Sequence, residues 1–124
     1  MRKLYAQGDV LIERVDAAPE DGTPIARDPD GAVVLARGEI TGHRHAIYGS
    51  PNVAMFRDDA LARAMPNLYI GNLKIVGDGV VVKHEEHAPI DLPPGDYVVR
   101  QQRRHVIAFN EAGEESAAVE AAID

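Results

Sequence analysis

Apolar residues in this chain fall into short runs broken by glycine, proline and acidic positions, a pattern that predicts β-strands joined by turns. Residues 7–15, Gln7-Gly8-Asp9-Val10-Leu11-Ile12-Glu13-Arg14-Val15, are dense in β-branched side chains and open on a Gly-Asp turn signal, so they read as a first strand. Residues 16–31 hold three prolines, two glycines and five acidic residues, a composition that suits a long surface loop or flexible flap. Residues 32–36 and 39–48 then read as two strand segments joined by Arg37-Gly38, the second ended by Gly49-Ser50-Pro51-Asn52. Residues 53–56 make a further short strand. Residues 58–65 place Asp58 and Asp59 ahead of good helix formers and stop at Pro66, which predicts one short helix. From Leu68 the strand pattern resumes, and Gly77-Asp78-Gly79 between residues 68–76 and 80–84 predicts a hairpin. Residues 91–96 read as a second turn, and residues 97–109 as the longest strand.

These elements predict a mainly β fold: a small single-domain β-barrel or sandwich with at most one short helix. The β-rich domain is expected over residues 1–110. Residues 111–124 form an acidic C-terminal tail, either a short helix or disordered. They carry Glu111, Glu114, Glu115, Glu120 and Asp124 with no Lys or Arg, so most of the chain's net charge of -7 lies there and the body is nearly neutral.

Composition removes several classes of function. The chain has no cysteine, which excludes disulfides, zinc ribbons and thiol nucleophiles and leaves nitrogen and oxygen as the only strong metal donors. A net charge of -7 argues against nucleic acid as a partner, although Arg100, Arg103 and Arg104 form a local basic cluster. The longest apolar runs fall far short of the roughly 20 residues needed to span a bilayer, so no membrane association is expected. Gln7, Asp9 and Glu13 interrupt the run that a secretory signal requires, and the expected location is cytoplasmic. No phosphate-binding glycine motif occurs, and Ser50 beside Pro51 reads as a turn residue rather than a nucleophile.

The histidines hold the most specific chemistry. Residues two apart in a strand share a face, so His43, His45 and Ile47 align, as do Val80, Val82 and His84. Along residues 97–109, Tyr97, Val99, Gln101, Arg103, His105, Ile107 and Phe109 share another face. Three or four inward imidazoles from different strands could bind zinc, iron, manganese, nickel or copper while leaving positions open for water or substrate. The candidate ligands of such a divalent transition metal are His43, His45, His84, His87 and His105. Glu39, Glu85 and Glu86 are candidates for a carboxylate ligand or for fixing the imidazole tautomers. The same histidines also read as buried residues held by hydrogen bonds, and His84-Glu85-Glu86-His87 as a solvated charged turn before Pro89. That tetrapeptide lacks the spacing of the helical zinc-protease motif, which removes protease chemistry.

Three resemblances follow from these residues. His43-x-His45 with the later Pro93-Pro94-Gly95 turn resembles the cupin plan, which implies a metal centre inside a small β-barrel. Gly38 stands one residue too close to His43 for that plan, no Glu follows His45 at the required spacing, and His105 lies ten residues beyond Gly95 rather than three. Residues 8–15 and 33–40 resemble strands of the ten-kilodalton co-chaperonins. The blocks Gln7-Gly8-Asp9-Val10, Thr41-Gly42-His43-x-His45-x-Ile47, His84-x-x-His87-x-Pro89-Ile90-x-Leu92-Pro93-Pro94-Gly95-x-Tyr97 and Arg100-Gln101 resemble a family of small uncharacterised bacterial and phage proteins.

Two classes of function fit the residues. The first is a small β protein that holds a divalent metal on its histidines, with no catalytic residue singled out. Were the metal to activate water, Glu39 or Glu85 would be the first candidates for a base. The second is a non-enzymatic interaction or oligomeric assembly module. Its contact surfaces would be the 16–31 loop and the Arg100–Arg104 strand, its partner another protein or a second copy, and its histidines would order turns.

Overall fold

Val10 and Ile12 are completely buried and Leu11 between them is not, which is the period of a strand with one face on a core. The computed structural model describes residues 3–18, 22–37, 42–109 and 115–121, with side chains described as far as residue 102. In chain order the first elements are β1 (Leu4–Gln7), β2 (Val10–Val15), β3 (Thr23–Pro24), β4 (Val33–Arg37), β5 (Arg44–Ile47) and β6 (Val53–Arg57). Helix α1 (Asp59–Ala64) follows, then β7 (Tyr69–Ile75), β8 (Val80–Val82), β9 (Ile90–Leu92), β10 (Gly95–Gln101), β11 (Arg103–Phe109) and β12 (Glu115–Ala121). Among the described residues, no helix is long and apolar enough to cross a membrane.

One six-stranded sheet runs β1-β2-β10-β7-β6-β3, and β4-β5 and β8-β9 form two separate ribbons. The ribbons are joined where Ala46 and Lys83 exchange backbone hydrogen bonds of 3.0 and 2.8 Å. Val10, Ile12, Val53, Met55, Leu73, Ile75, Tyr97 and Val99 of the large sheet form one buried cluster with Val33, Leu35, Ile47, Val80, Val82 and Leu92 of the ribbons. Apolar faces of two layers thus cover each other, as in a sandwich. Among the described residues no ladder joins the outer strands β1 and β3, so the fold is the open member of the expected pair and not a closed barrel.

The expected short helix is present, with Asp58 as its N-cap accepting from the Leu61 N–H at 3.1 Å. The expected hairpin between residues 68–76 and 80–84 is absent. Both edges of β7 are occupied by β6 and β10, so β8 pairs with β9 instead, and Gly77-Asp78-Gly79 carries the chain from one layer to the other. Gly79 makes that crossing with φ +85°, and a Cβ there would stand 2.5 Å from the Leu92 carbonyl oxygen, so only glycine fits. Residues 91–92, expected in a turn, belong to β9.

The strand expected over 97–109 breaks at Gln102, whose N–H donates to the Asp9 carbonyl at 2.6 Å and ties the chain to the β1–β2 turn. The second half of the 16–31 segment is fastened rather than free. β3 pairs with β6, the Ile25 N–H donates to the Met55 carbonyl, and Arg27 donates to carbonyls of Gly31, Ser50 and Val53. In the acidic tail the backbone of β12 runs antiparallel to β11 from Arg103↔Ala121 to Phe109↔Glu115, where a helix or disorder was expected.

Candidate functional site

β5 pairs with β4 on one edge and meets the end of β8 on the other, so His45 near the start of β5 lies beside His84, two residues past β8. The turn over residues 84–87 then brings His87 back towards them, and His43 approaches from just before β5. Ring centroids lie 4.2 Å apart for His45 and His84, 4.7 Å for His84 and His87, 5.6 Å for His43 and His84, and 5.9 Å for His45 and His87. His45 and His84 are buried, with 1 % and 9 % of their surface exposed, while His43 and His87 are half-buried. The alternation of Val80, Val82 and His84 places His84 inward as the sequence predicts, with Val81 and Lys83 outward.

The β1–β2 turn closes over this cluster, and Gln7 fixes the chemistry of His45. The Gln7 amide nitrogen donates to the carbonyls of Val82 at 3.1 Å and Ala88 at 2.9 Å, which determines which end of the amide is oxygen. That oxygen lies 2.8 Å from Nδ1 of His45, so Nδ1 carries the proton and Nε2 is the acceptor nitrogen, the form in which an imidazole ligates through Nε2. Gly8 follows with φ +58°, and a Cβ there would stand 2.9 Å from Nε2 of His87 and 3.4 Å from Cε1 of His45. A side chain at this position would fill the space between two of the rings.

His84 has the opposite polarity. Its Nδ1 accepts from the N–H groups of Glu86 at 3.0 Å and His87 at 3.3 Å, which folds the turn back on itself. Oε1 of Glu86 stands 3.4 Å from Nδ1 of His43. Both carboxylate oxygens of Glu85 accept from the Arg44 N–H, at 3.0 and 3.1 Å, and this bond holds the Glu85 carboxyl below the usual carboxylate range. Glu85 therefore serves as an acceptor that fastens the 84–87 turn to β5. Of the other candidates, Glu39 lies outside the described residues and His105 outside the described side chains, its backbone pairing with Val119.

Among the described residues, no three His, Asp or Glu side chains are arranged to hold a metal ion as they stand. The rings pack against one another, and those of His43 and His87 are partly exposed. Beside the cluster, Arg44 pairs with Asp28 and with Asp30, each at 2.9 Å, and Arg37 also pairs with Asp28. These bonds hold the Asp28 and Asp30 carboxyls below, and the guanidinium of Arg44 above, their usual ranges. They tie residues 28–30 to β5 on the side away from His45.

Gln7 is a residue of this cluster that the histidine pattern does not reveal, because the carbonyls it binds are 75 and 81 residues away. A signal for it exists in the Gln7-Gly8-Asp9-Val10 block, which has no purpose within a first strand and acquires one as a turn over the imidazoles.

Fold and site together define a small β-sandwich domain with four histidines gathered beneath a Gln-Gly-Asp turn. A family described as a domain of unknown function (DUF8820) matches residues 6–102, and the chain belongs to that family. The matched span contains Gln7, Gly8 and the four clustered histidines, and it ends before His105. No curated protein matches the chain. No solved structure matches it.

Proposed function

We propose that this protein binds a divalent transition metal in the cytoplasm through the imidazoles of the cluster, with His45 as the anchor. The observation that carries the reading is the tautomer that Gln7 imposes on His45, an arrangement typical of residues that orient metal-binding imidazoles from behind. Support also comes from the lack of cysteine, which leaves imidazole as the strongest donor present, and from Gly8, whose missing side chain keeps the rings of His45 and His87 accessible to each other. Zinc, iron, nickel, copper and manganese all accept such donors, and the cupin-like spacing of His43 and His45 points the same way. No catalytic base is assigned: the Glu85 carboxylate accepts from the Arg44 N–H, and Glu39 lies outside the described residues. The assembly reading has less to draw on, because Arg100 pairs with Glu13 at 3.0 Å and residues 28–30 are bound to Arg37 and Arg44.

The test is calorimetric titration of tag-free, metal-stripped protein with zinc. Saturable binding at one zinc per chain, unaffected by excess magnesium, is expected of a nitrogen-donor site. No saturable binding would remove the proposal.

A further inference from the structure

The hydrogen bonds of His84 run against ligation. Its Nδ1 faces two backbone N–H groups, of Glu86 and His87, and must therefore present a lone pair to them. The proton of the neutral ring then resides on Nε2, and Nε2 is buried without a hydrogen-bond partner in a residue that is only 9 % exposed. A nitrogen bearing a proton cannot also donate a lone pair to a metal. Ligation through Nε2 would demand loss of the ring's one N–H proton, leaving an imidazolate, or a ring turned over at the expense of both turn hydrogen bonds.

A buried N–H donor left unsatisfied is costly, and in a native structure it marks a place where an acceptor belongs. The ring of His84 lies against those of His45, His43 and His87, so the acceptor belongs inside the cluster. A divalent ion held by neutral imidazoles keeps its full charge and draws an anionic oxygen to an open position. We infer that His84 is a hydrogen-bond donor, through Nε2–H, to an oxygen anion bound on the metal, and not one of the metal's ligands. The oxygen belongs either to solvent or to a small carboxylate. Within the cluster the labour is then divided: His45 offers a lone pair and His84 offers a proton, each tautomer being set by a hydrogen bond on the far side of its ring. This assignment rests on the metal reading above.

Two measurements test it. Long-range proton–nitrogen correlation spectra of the metal-free protein should show His84 in the Nε2–H form and His45 in the Nδ1–H form. The Nδ1–H form at His84 would overturn the donor role alone. The second measurement compares wild type with His84→Asn, whose side-chain oxygen can still accept the N–H groups two and three residues on. Both proteins are loaded with cobalt(II) and followed by visible absorption with and without acetate. The expected result is cobalt affinity within about threefold of wild type and acetate affinity lowered by about tenfold or more, the scale of a lost hydrogen bond to a charged group. A spectrum indifferent to acetate in both proteins but altered by the substitution would support solvent as the source of the oxygen. Cobalt affinity lost by about 100-fold, as expected when a direct ligand is removed, would make His84 a ligand and overturn the inference. Identical spectra and acetate affinities in the two proteins would overturn it as well. Failure of the wild type to bind cobalt would overturn the metal reading and this role together.

Discussion

His45→Ala is expected to lower zinc affinity by about 100-fold or more while the protein still folds, because it deletes the imidazole that anchors the site. His45 is 1 % exposed and its Nδ1–H is bound to Gln7, so its Nε2 is held in one place before any ion arrives. A preorganised donor contributes more than His43 or His87, which are half-buried and must first be ordered. Removing a buried ring also leaves a cavity and strands the Gln7 oxygen, which together should cost about 3–5 kcal/mol of stability. Urea unfolding separates that cost from the loss of binding, since a folded variant that has lost zinc isolates the ligand role. Unchanged zinc affinity in a folded His45→Ala protein would show that the anchor lies elsewhere.

The second large effect is expected at Gln7. Gln7→Leu keeps much of the volume but leaves the carbonyls of Val82 and Ala88 and the Nδ1–H of His45 without their partner. Buried groups left in this way cost about 1–3 kcal/mol each before relaxation, so a total loss near 3 kcal/mol is expected in denaturant unfolding. Zinc affinity should fall as well, by about 10- to 100-fold, because the His45 ring is no longer held in the tautomer and orientation that ligation needs. The pairing of both losses in one residue is the distinguishing result. A Gln7→Leu protein with lowered stability and wild-type zinc affinity would reduce Gln7 to a structural role.

Local periodicity made part of this molecule legible. The alternation of Val80, Val82 and His84, and the spacing of His43 and His45, report which way side chains point, and a strand obeys that period wherever it pairs. Pairing itself is not local. Gly77-Asp78-Gly79 has the chemistry of a hairpin turn, yet the edges of β7 were already filled by strands from distant parts of the chain, so the turn became a crossing between layers. The 16–31 segment has the composition of a loose flap, but Asp28 and Asp30 find Arg37 and Arg44, and a segment that cannot build a core is fastened by charge instead.

The site shows the same division. His43, His45, His84 and His87 could be selected from sequence because imidazole is rare in this chain, and the same reasoning selected His105, whose side chain lies outside those described. Their unequal roles could not, because each tautomer depends on a partner outside the histidine pattern: a glutamine amide for His45 and two backbone N–H groups for His84. Glu85 stood out by its charge and proved to be a fastener, since the N–H it accepts belongs to Arg44 on another strand.

The most direct examination of the central claim is zinc K-edge X-ray absorption on the tag-free protein loaded with one equivalent of zinc. The expected result is a first shell of nitrogen and oxygen at about 2.0–2.1 Å with the multiple-scattering pattern of at least two imidazoles. A shell of oxygens alone, with no imidazole scattering, would contradict it.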